Sequence, residues 1–163
     1  MSEAVLEQGT ARDFDFWMGS WTGHNRRLRE RLAACDEWDE FESTSIARPI
    51  LAGMGNEDVF LTDYAGGFVG MSFRFFDPET RQWVIYWADS RRPGVLDPPV
   101  IGGFSDDAGV FEGPDTFEGR PILVRFTWLR VTAPSPRWEQ AFSDDGGESW
   151  ETNWITDFTR KEV

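Results

Sequence analysis

Residues 67–90, GFVGMSFRFFDPETRQWVIYWADS, contain two strand-like runs on either side of one short turn. The first run, Gly67–Phe76, is rich in aromatic and β-branched residues, as is the second, Gln82–Ser90. The five letters between them, DPETR, are turn formers, because Pro fixes its own backbone angle and Asp bonds to nearby backbone groups. This stretch therefore predicts two antiparallel strands joined as a hairpin.

Ten runs of this kind cover the chain, and Gly, Pro, Asp or Asn separates each run from the next. No stretch after residue 18 shows a clear apolar period of 3.6, so helical crossovers between the strands are not expected. We predict an all-β fold, an up-and-down antiparallel β-barrel of about ten strands, because closure removes exposed strand edges. The runs are Ser20–Leu32, Glu37–Pro49, Glu57–Tyr64, Gly67–Phe76, Gln82–Ser90, Val100–Ser105, Gly109–Phe117, Ile122–Thr132, Arg137–Ser143 and Ser149–Arg160.

The segment before the first run is the one place where a helix is expected. Residues 11–18, ARDFDFWM, fit one short helical turn with Phe14 and either Trp17 or Met18 on one side. No linker rich in Pro, Gly or Ser divides the chain. We therefore expect a flexible N-terminus over residues 1–10 and a single barrel domain over residues 11–163.

Composition and charge exclude several classes of function. The 163 residues carry a formal net charge of −13, which argues against nucleic acid and anionic membranes as partners. One cysteine, Cys35, and one histidine, His24, leave no basis for a cysteine cluster or a pair of imidazoles, so we expect no metal and no cofactor. The start of the chain is neither basic nor apolar, and the longest uncharged stretch, Tyr64–Phe73, is too short to span a bilayer. We expect a cytoplasmic protein.

Aromatic residues are unusually numerous: nine Trp, fourteen Phe and two Tyr. Rings of this size bury large areas, and more of them are present than one barrel interior can hold. Some must then lie on the outer wall, where apolar patches usually mark interfaces. We expect a homodimer.

The opening DFDFWMGSWTG (residues 13–23) resembles that of calycin-type barrels, which include lipocalins and fatty-acid-binding proteins. The resemblance implies a short helical plug at the closed end, a first strand beginning at Gly19–Ser20–Trp21, and a late basic residue, here Arg160, against Trp21. Four segments are similar to a group of bacterial single-domain proteins of unknown function with this fold, which implies no particular catalytic residues. The segments are FDFWMGSW (14–21), WDEFESTS (38–45), YWADSRRPGVLDPP (86–99) and WEQAFSDDGGESWETNW (138–154).

Strand parity selects the candidate site residues, because residues two apart share a face. If Trp21 points inward, Asn25 and Arg27 share its face, and Glu40 and Glu42 share the face of Trp38. We predict Arg27, Glu42 and Asp89 as the best catalytic candidates, since an Arg–carboxylate pair in an aromatic barrel suits acid–base work. The full predicted ligand-binding set is Asn25, Arg27, Glu40, Glu42, Trp87, Asp89, Trp128, Gln140 and Trp154.

Two features also have simpler interpretations. The arginines of residues 26–31 and the acidic run DEWDEFE (36–42) would form a solvated ribbon of cross-strand ion pairs if both faced outward. SDDGGESW (143–150) fits an Asp-box pattern, which in other proteins is a structural hairpin away from the chemistry. Neither feature alone requires a ligand.

Three functions remain open on the sequence. The first is a barrel that binds a small, largely apolar or aromatic molecule in its interior. The second is a small cofactor-independent barrel enzyme, such as an isomerase, cyclase or lyase, that uses an Arg–carboxylate pair. The third is an interaction module whose core is filled. An interior cavity above roughly 300 Å³ separates the first two from the third.

Overall fold

The computed structural model describes residues 9–161. The predicted flexible segment, residues 1–10, lies outside the described residues except for its last two. Ten strands make up most of the described chain. They are β1 (Gly19–Leu28), β2 (Trp38–Ile50), β3 (Gly55–Thr62), β4 (Phe68–Asp77), β5 (Gln82–Asp89), β6 (Val100–Ser105), β7 (Ala108–Phe117), β8 (Arg120–Leu129), β9 (Arg137–Ser143) and β10 (Glu151–Arg160).

Each strand pairs antiparallel with the next strand of the chain, and β10 pairs with β1 to close the barrel. The prediction of an all-β, up-and-down barrel of about ten strands is confirmed. The hairpin predicted over residues 67–90 is β4–β5, in which Asp77 lies opposite Gln82 and Gly70 opposite Asp89. Its alternating faces put one set of side chains inside the barrel and the other set on the outer wall.

The segment before β1 is not the predicted helical plug. Residues 11–14 form turns, and the helical residues of this segment are the three of a 3-10 helix, Asp15–Trp17. Asp13 accepts hydrogen bonds from the backbone N–H and the hydroxyl of Thr10. Met18 is already extended, with ψ of 140°, because β1 begins at the next residue. The buried rings of Phe14 and Trp17, rather than an α-helix, fill this end of the barrel.

Trp21 and Arg160 meet where β1 begins and β10 ends. The guanidinium carbon of Arg160 lies 4.1 Å from the centroid of the Trp21 ring, and its nitrogens donate to the carbonyls of Met18 and Phe16 at 2.8 and 2.9 Å. The predicted stacking is confirmed. Gly19 has φ of +113°, and a Cβ at this position would lie 2.7 Å from Nη1 of Arg160. The first position of the Gly-x-Trp opening therefore needs glycine.

The buried core is concentrated at this end of the barrel, which we call the closed end. Its main cluster surrounds Phe14 and Trp17 and includes Trp83, Phe111 and Trp128. At the opposite end, which we call the open end, the loops 29–37, 63–67, 90–99, 118–119 and 144–150 connect the strands. Within residues 9–161, no helix has the length and apolar character needed to cross a membrane.

Candidate functional site

The barrel interior contains a cavity of about 720 Å³ that extends to the open end. This volume is within the range of small-molecule pockets, roughly 300–1,000 Å³. It also argues against an interaction module with a filled core. Aromatic rings supply much of the wall: Trp17, Phe60, Trp87, Phe117, Phe126, Trp128, Trp138, Phe142, Trp154 and Phe158.

Six of the nine predicted ligand-binding residues line this cavity. They are Arg27, Trp87, Asp89, Trp128, Gln140 and Trp154. Asn25 also points inward, but it is fully buried and its amide bonds to protein groups. Its Oδ1 accepts from Trp154 Nε1 at 3.0 Å and from Thr156 Oγ1 at 2.7 Å, and its Nδ2 donates to Ser43 Oγ at 2.9 Å. Asn25 therefore holds the ring of Trp154 in place.

The predicted inward placement of Glu40 and Glu42 is wrong. Trp21 lies opposite Ser45 in the β1–β2 pair, so Ser45 and the residues two apart from it face inside. Glu40 and Glu42 lie on the outer wall, where their side chains are 63% and 73% exposed. Each carboxylate is hydrogen-bonded to one ring nitrogen of His24, at 2.9 and 2.8 Å.

The misleading signal on β2 was Trp38. Its ring lies on the outer wall, where the guanidinium carbon of Arg26 is 5.8 Å from the ring centroid. The predicted catalytic pair of Arg27 with Glu42 therefore does not form, because the two side chains are on opposite sides of the wall. The interpretation as solvated ion pairs holds for Arg29, in the loop after β1, which is exposed and bonds Glu37 and Asp39 at 2.7 and 2.8 Å.

The structure shows a different Arg–carboxylate pair in the cavity wall. Arg74 on β4 is 4% exposed, and its Nη2 lies 2.6 Å from Oδ2 of Asp58 on β3. Trp17 Nε1 donates to the same Oδ2 at 2.9 Å, and Arg74 Nη1 donates to Asn56 Oδ1 at 2.9 Å. The sequence interpretation missed this pair. The available signal was that Arg74 is the one charged residue between Phe68 and Phe76, in a strand that alternates faces.

Asp89 lines the cavity near the open end and is held by its neighbours. Arg91 donates to both carboxylate oxygens, at 3.1 and 2.9 Å, and Trp87 Nε1 donates to Oδ2 at 3.0 Å. Burial raises the pKa of Asp89, but these hydrogen bonds outweigh it and lower the pKa to about 2. An ionised carboxylate with both oxygens bonded is a poor proton acceptor. Its observed contacts fix the positions of Trp87 and Arg91.

Among the arginines of the cavity wall, Arg27 has the fewest hydrogen-bond and ion-pair partners. Its guanidinium carbon lies 5.0 Å from the centroid of the Trp154 ring, and its buried Nε has no hydrogen-bond partner among residues 9–161. Burial lowers the pKa of Arg27 to about 10, the positive charges of Arg31 and Arg91 act in the same direction, and Tyr64 opposes them in part. Arg27 therefore still carries its charge at pH 7.

Comparisons with known proteins support the fold. No family model and no curated protein matches the chain, so the resemblance to a bacterial group of unknown function stays a prediction. Among solved structures, the chain is similar to the S-type phycobiliprotein lyase CPES from Guillardia theta, with 11% sequence identity and a TM-score of 0.61. The similarity covers 100% of this chain and 99% of that one. At this identity the likeness shows the barrel fold alone.

Proposed function

We propose that the protein binds a small, largely apolar or aromatic molecule inside the barrel. The observation that carries this proposal is the aromatic cavity of about 720 Å³, which reaches the loops of the open end. An interior filled by side chains would leave no cavity of this size. The fold neighbour is named a lyase, which supports a small-molecule role for a barrel of this shape.

Tryptophans of the cavity wall present ring faces and edges, because their indole N–H groups are bonded to protein side chains. The Nε1 of Trp87 is taken by Asp89, and the Nε1 of Trp154 by Asn25. The rings of Trp138 and Trp154 lie 5.5 Å apart and nearly perpendicular, at 84°. Rings fixed in this way lose little freedom when a ligand arrives, which favours binding of a planar apolar molecule.

A fluorescence titration with N-phenyl-1-naphthylamine, a neutral aromatic probe, tests this proposal. We expect saturable binding of one probe per chain. Ser72→Phe places a ring in the cavity and should weaken binding at least about tenfold. Thr22→Phe adds the same ring to the outer face of β1 and is the matched control. Absence of saturable binding, or equal losses in the two folded variants, would refute an interior site.

The buried Arg74–Asp58 pair favours acid–base catalysis on the bound molecule as a second candidate. Asp58 accepts its hydrogen bonds through Oδ2, which leaves Oδ1 available to a ligand. An enzyme blocked by Asp58→Asn should accumulate its substrate. Native mass spectrometry of wild-type and variant protein from the same cells would then show retained molecules of different mass. The same retained mass in both favours binding without turnover.

We also propose that the outer face of β2–β5 is a dimer interface. The strand register aligns Ile46, Val59, Met71 and Ala88 in one row across four strands. The next row contains Leu61 and Val69, which are 41% and 40% exposed. An aligned apolar patch of this kind suits a second copy of the same surface, as in a two-fold dimer.

The single free cysteine, Cys35, fits the expected cytoplasmic location.

A further inference from the structure

We propose that the molecule bound in the cavity is an aromatic or apolar carboxylic acid, and that its carboxylate binds Arg27 near the open end of the barrel. This inference rests on the proposed function and names the chemical class of its ligand. It follows from the position of Arg27, from the way the nearby charges are already paired, and from the shape of a guanidinium.

Arg27 faces into the cavity without a counterion. It lies near the end of β1, opposite Trp154 on β10, and its guanidinium rests over that ring. Among residues 9–161 no carboxylate forms an ion pair with it, and its buried Nε has no acceptor. The Nε of Arg27 is removed from water without an acceptor, and Tyr64 offsets only part of the cost of burying the charge, so the site suits an acceptor that arrives with the ligand.

The nearest carboxylate by register is committed elsewhere. Asp39 lies directly opposite Arg27 on β2, but it accepts from Arg29 Nε and from the hydroxyl of Tyr64, both at 2.8 Å. Both partners lower the pKa of Asp39, so it stays ionised and bonded to them. The charge of Arg27 also lowers the pKa of Asp39, but the ion pair of Asp39 is with Arg29 and not with Arg27.

The other charges of the cavity wall are mostly paired with each other. Arg74 bonds Asp58, Arg91 bonds Asp89 and Arg92 bonds Asp97, at 2.6, 2.9 and 2.6 Å. These three pairs are neutral as units. Asp115 also lines the cavity, and its charge interacts with those of Asp97 and Arg92 on the loop side.

Arg31 adds a second positive charge near Arg27. Its side chain lines the cavity, and its guanidinium carbon lies 5.7 Å from the centroid of the Phe117 ring. Its Nη1 donates to a backbone carbonyl at 3.2 Å. Although the whole chain is acidic, this part of the cavity is therefore locally positive. A guanidinium binds a carboxylate through two parallel N–H···O bonds, and the aromatic wall accepts the rest of such a molecule.

A competition experiment with a matched pair of compounds tests this inference. 2-Naphthoate and 2-naphthamide have the same fused rings and nearly the same size, but only the first carries a charge at pH 7. Each would displace N-phenyl-1-naphthylamine from the wild-type protein. We expect the acid to bind at least about tenfold more tightly than the amide, the effect of one charged hydrogen-bonded pair.

Two variants locate the effect. Arg27→Gln should reduce the acid-to-amide preference to within about twofold, because the charge at the site is lost. Arg26→Gln, on the same strand but over the outer Trp38, should keep the full preference. If the wild-type protein binds the probe but not the acid in preference to the amide, the carboxylate inference fails and the proposed function stands. If 1-naphthyl phosphate binds more tightly than the acid, the ligand class is wrong. If the probe does not bind, both proposals fail.

Discussion

At Asn25, one buried amide ties together two strands of the cavity wall. It bonds Ser43 on β2 and Trp154 and Thr156 on β10, at distances between 2.7 and 3.0 Å. A polar group in the interior is tolerated because its partners satisfy it. The indole ring of Trp154, and with it the surface below Arg27, is therefore fixed before any ligand enters.

His24 provides a direct check of the outer wall. Hydrogen bonds to Glu42 and then Glu40 raise its pKa above the ordinary value of 6.5. Because the folded pKa is the higher one, the stabilisation is fully present below the unfolded pKa and is lost as pH rises through the folded pKa. For exposed partners it should amount to less than about 1 kcal/mol.

Proton NMR of the single imidazole measures this shift. We expect a titration midpoint above 6.5 in the wild-type protein and a lower midpoint in Glu42→Gln. Glu139→Gln, on a different strand, is the control and should leave the midpoint unchanged. A wild-type midpoint at or below 6.5 would contradict the outward placement of Glu40 and Glu42.

At the scale of elements, the start of β1 depends on one glycine. Gly19→Ala would put a Cβ 2.7 Å from Arg160 at a φ of +113°, so we expect a loss of about 1–3 kcal/mol in the free energy of unfolding. Gly103→Ala, on β6, adds a methyl group with no atom within 4 Å and should change stability by less than about 0.5 kcal/mol. Urea denaturation of the two variants measures the difference. Equal stabilities would show that the Trp21–Arg160 arrangement tolerates a side chain.

The strands were predictable because local chemistry determines them. Ten β-rich runs and their turn residues indicate ten antiparallel strands without any long-range information. The inward position of Arg27 followed from Trp21 on the same strand. Which residues of β2 face inward could not be predicted in the same way, because this depends on the register of β2 with β1. Trp38 lies on the outer wall, so the assumption that it faces inward put Glu40 and Glu42 on the wrong face. The N-terminal segment also depended on tertiary packing, since the ring of Phe14 enters the barrel from a turn and that of Trp17 from the 3-10 helix.

The ion pairs inside the cavity could not be predicted from the sequence. Arg74 and Asp58 are 16 positions apart, and only the β3–β4 register, which sets Asp58 opposite Ser72, brings them together. The sequence indicated that aromatic residues line the barrel interior. Whether their rings leave a cavity between them depends on three-dimensional packing. The cavity itself is therefore a finding of the structure.

At the scale of the molecule, the proposed dimer predicts a mass of about twice 18.7 kDa in sedimentation at micromolar concentration. Met71→Glu would place a charge in the middle of the apolar row on β2–β5 and should shift the protein to monomers. Thr22→Glu, an exposed outer residue of β1, is the control and should remain dimeric. A monomer mass for the wild-type protein would contradict the proposed dimer interface.

The whole barrel combines a closed end packed with aromatic rings and a hollow region that extends to the open end. In the proposed function, this hollow region receives a small aromatic molecule. A crystal structure of the protein grown with N-phenyl-1-naphthylamine would show whether it does. We predict electron density for the probe inside the barrel, against the rings of Trp87, Trp138 and Trp154. An interior filled by side chains, or a probe bound only on the outer wall, would overturn the proposed function.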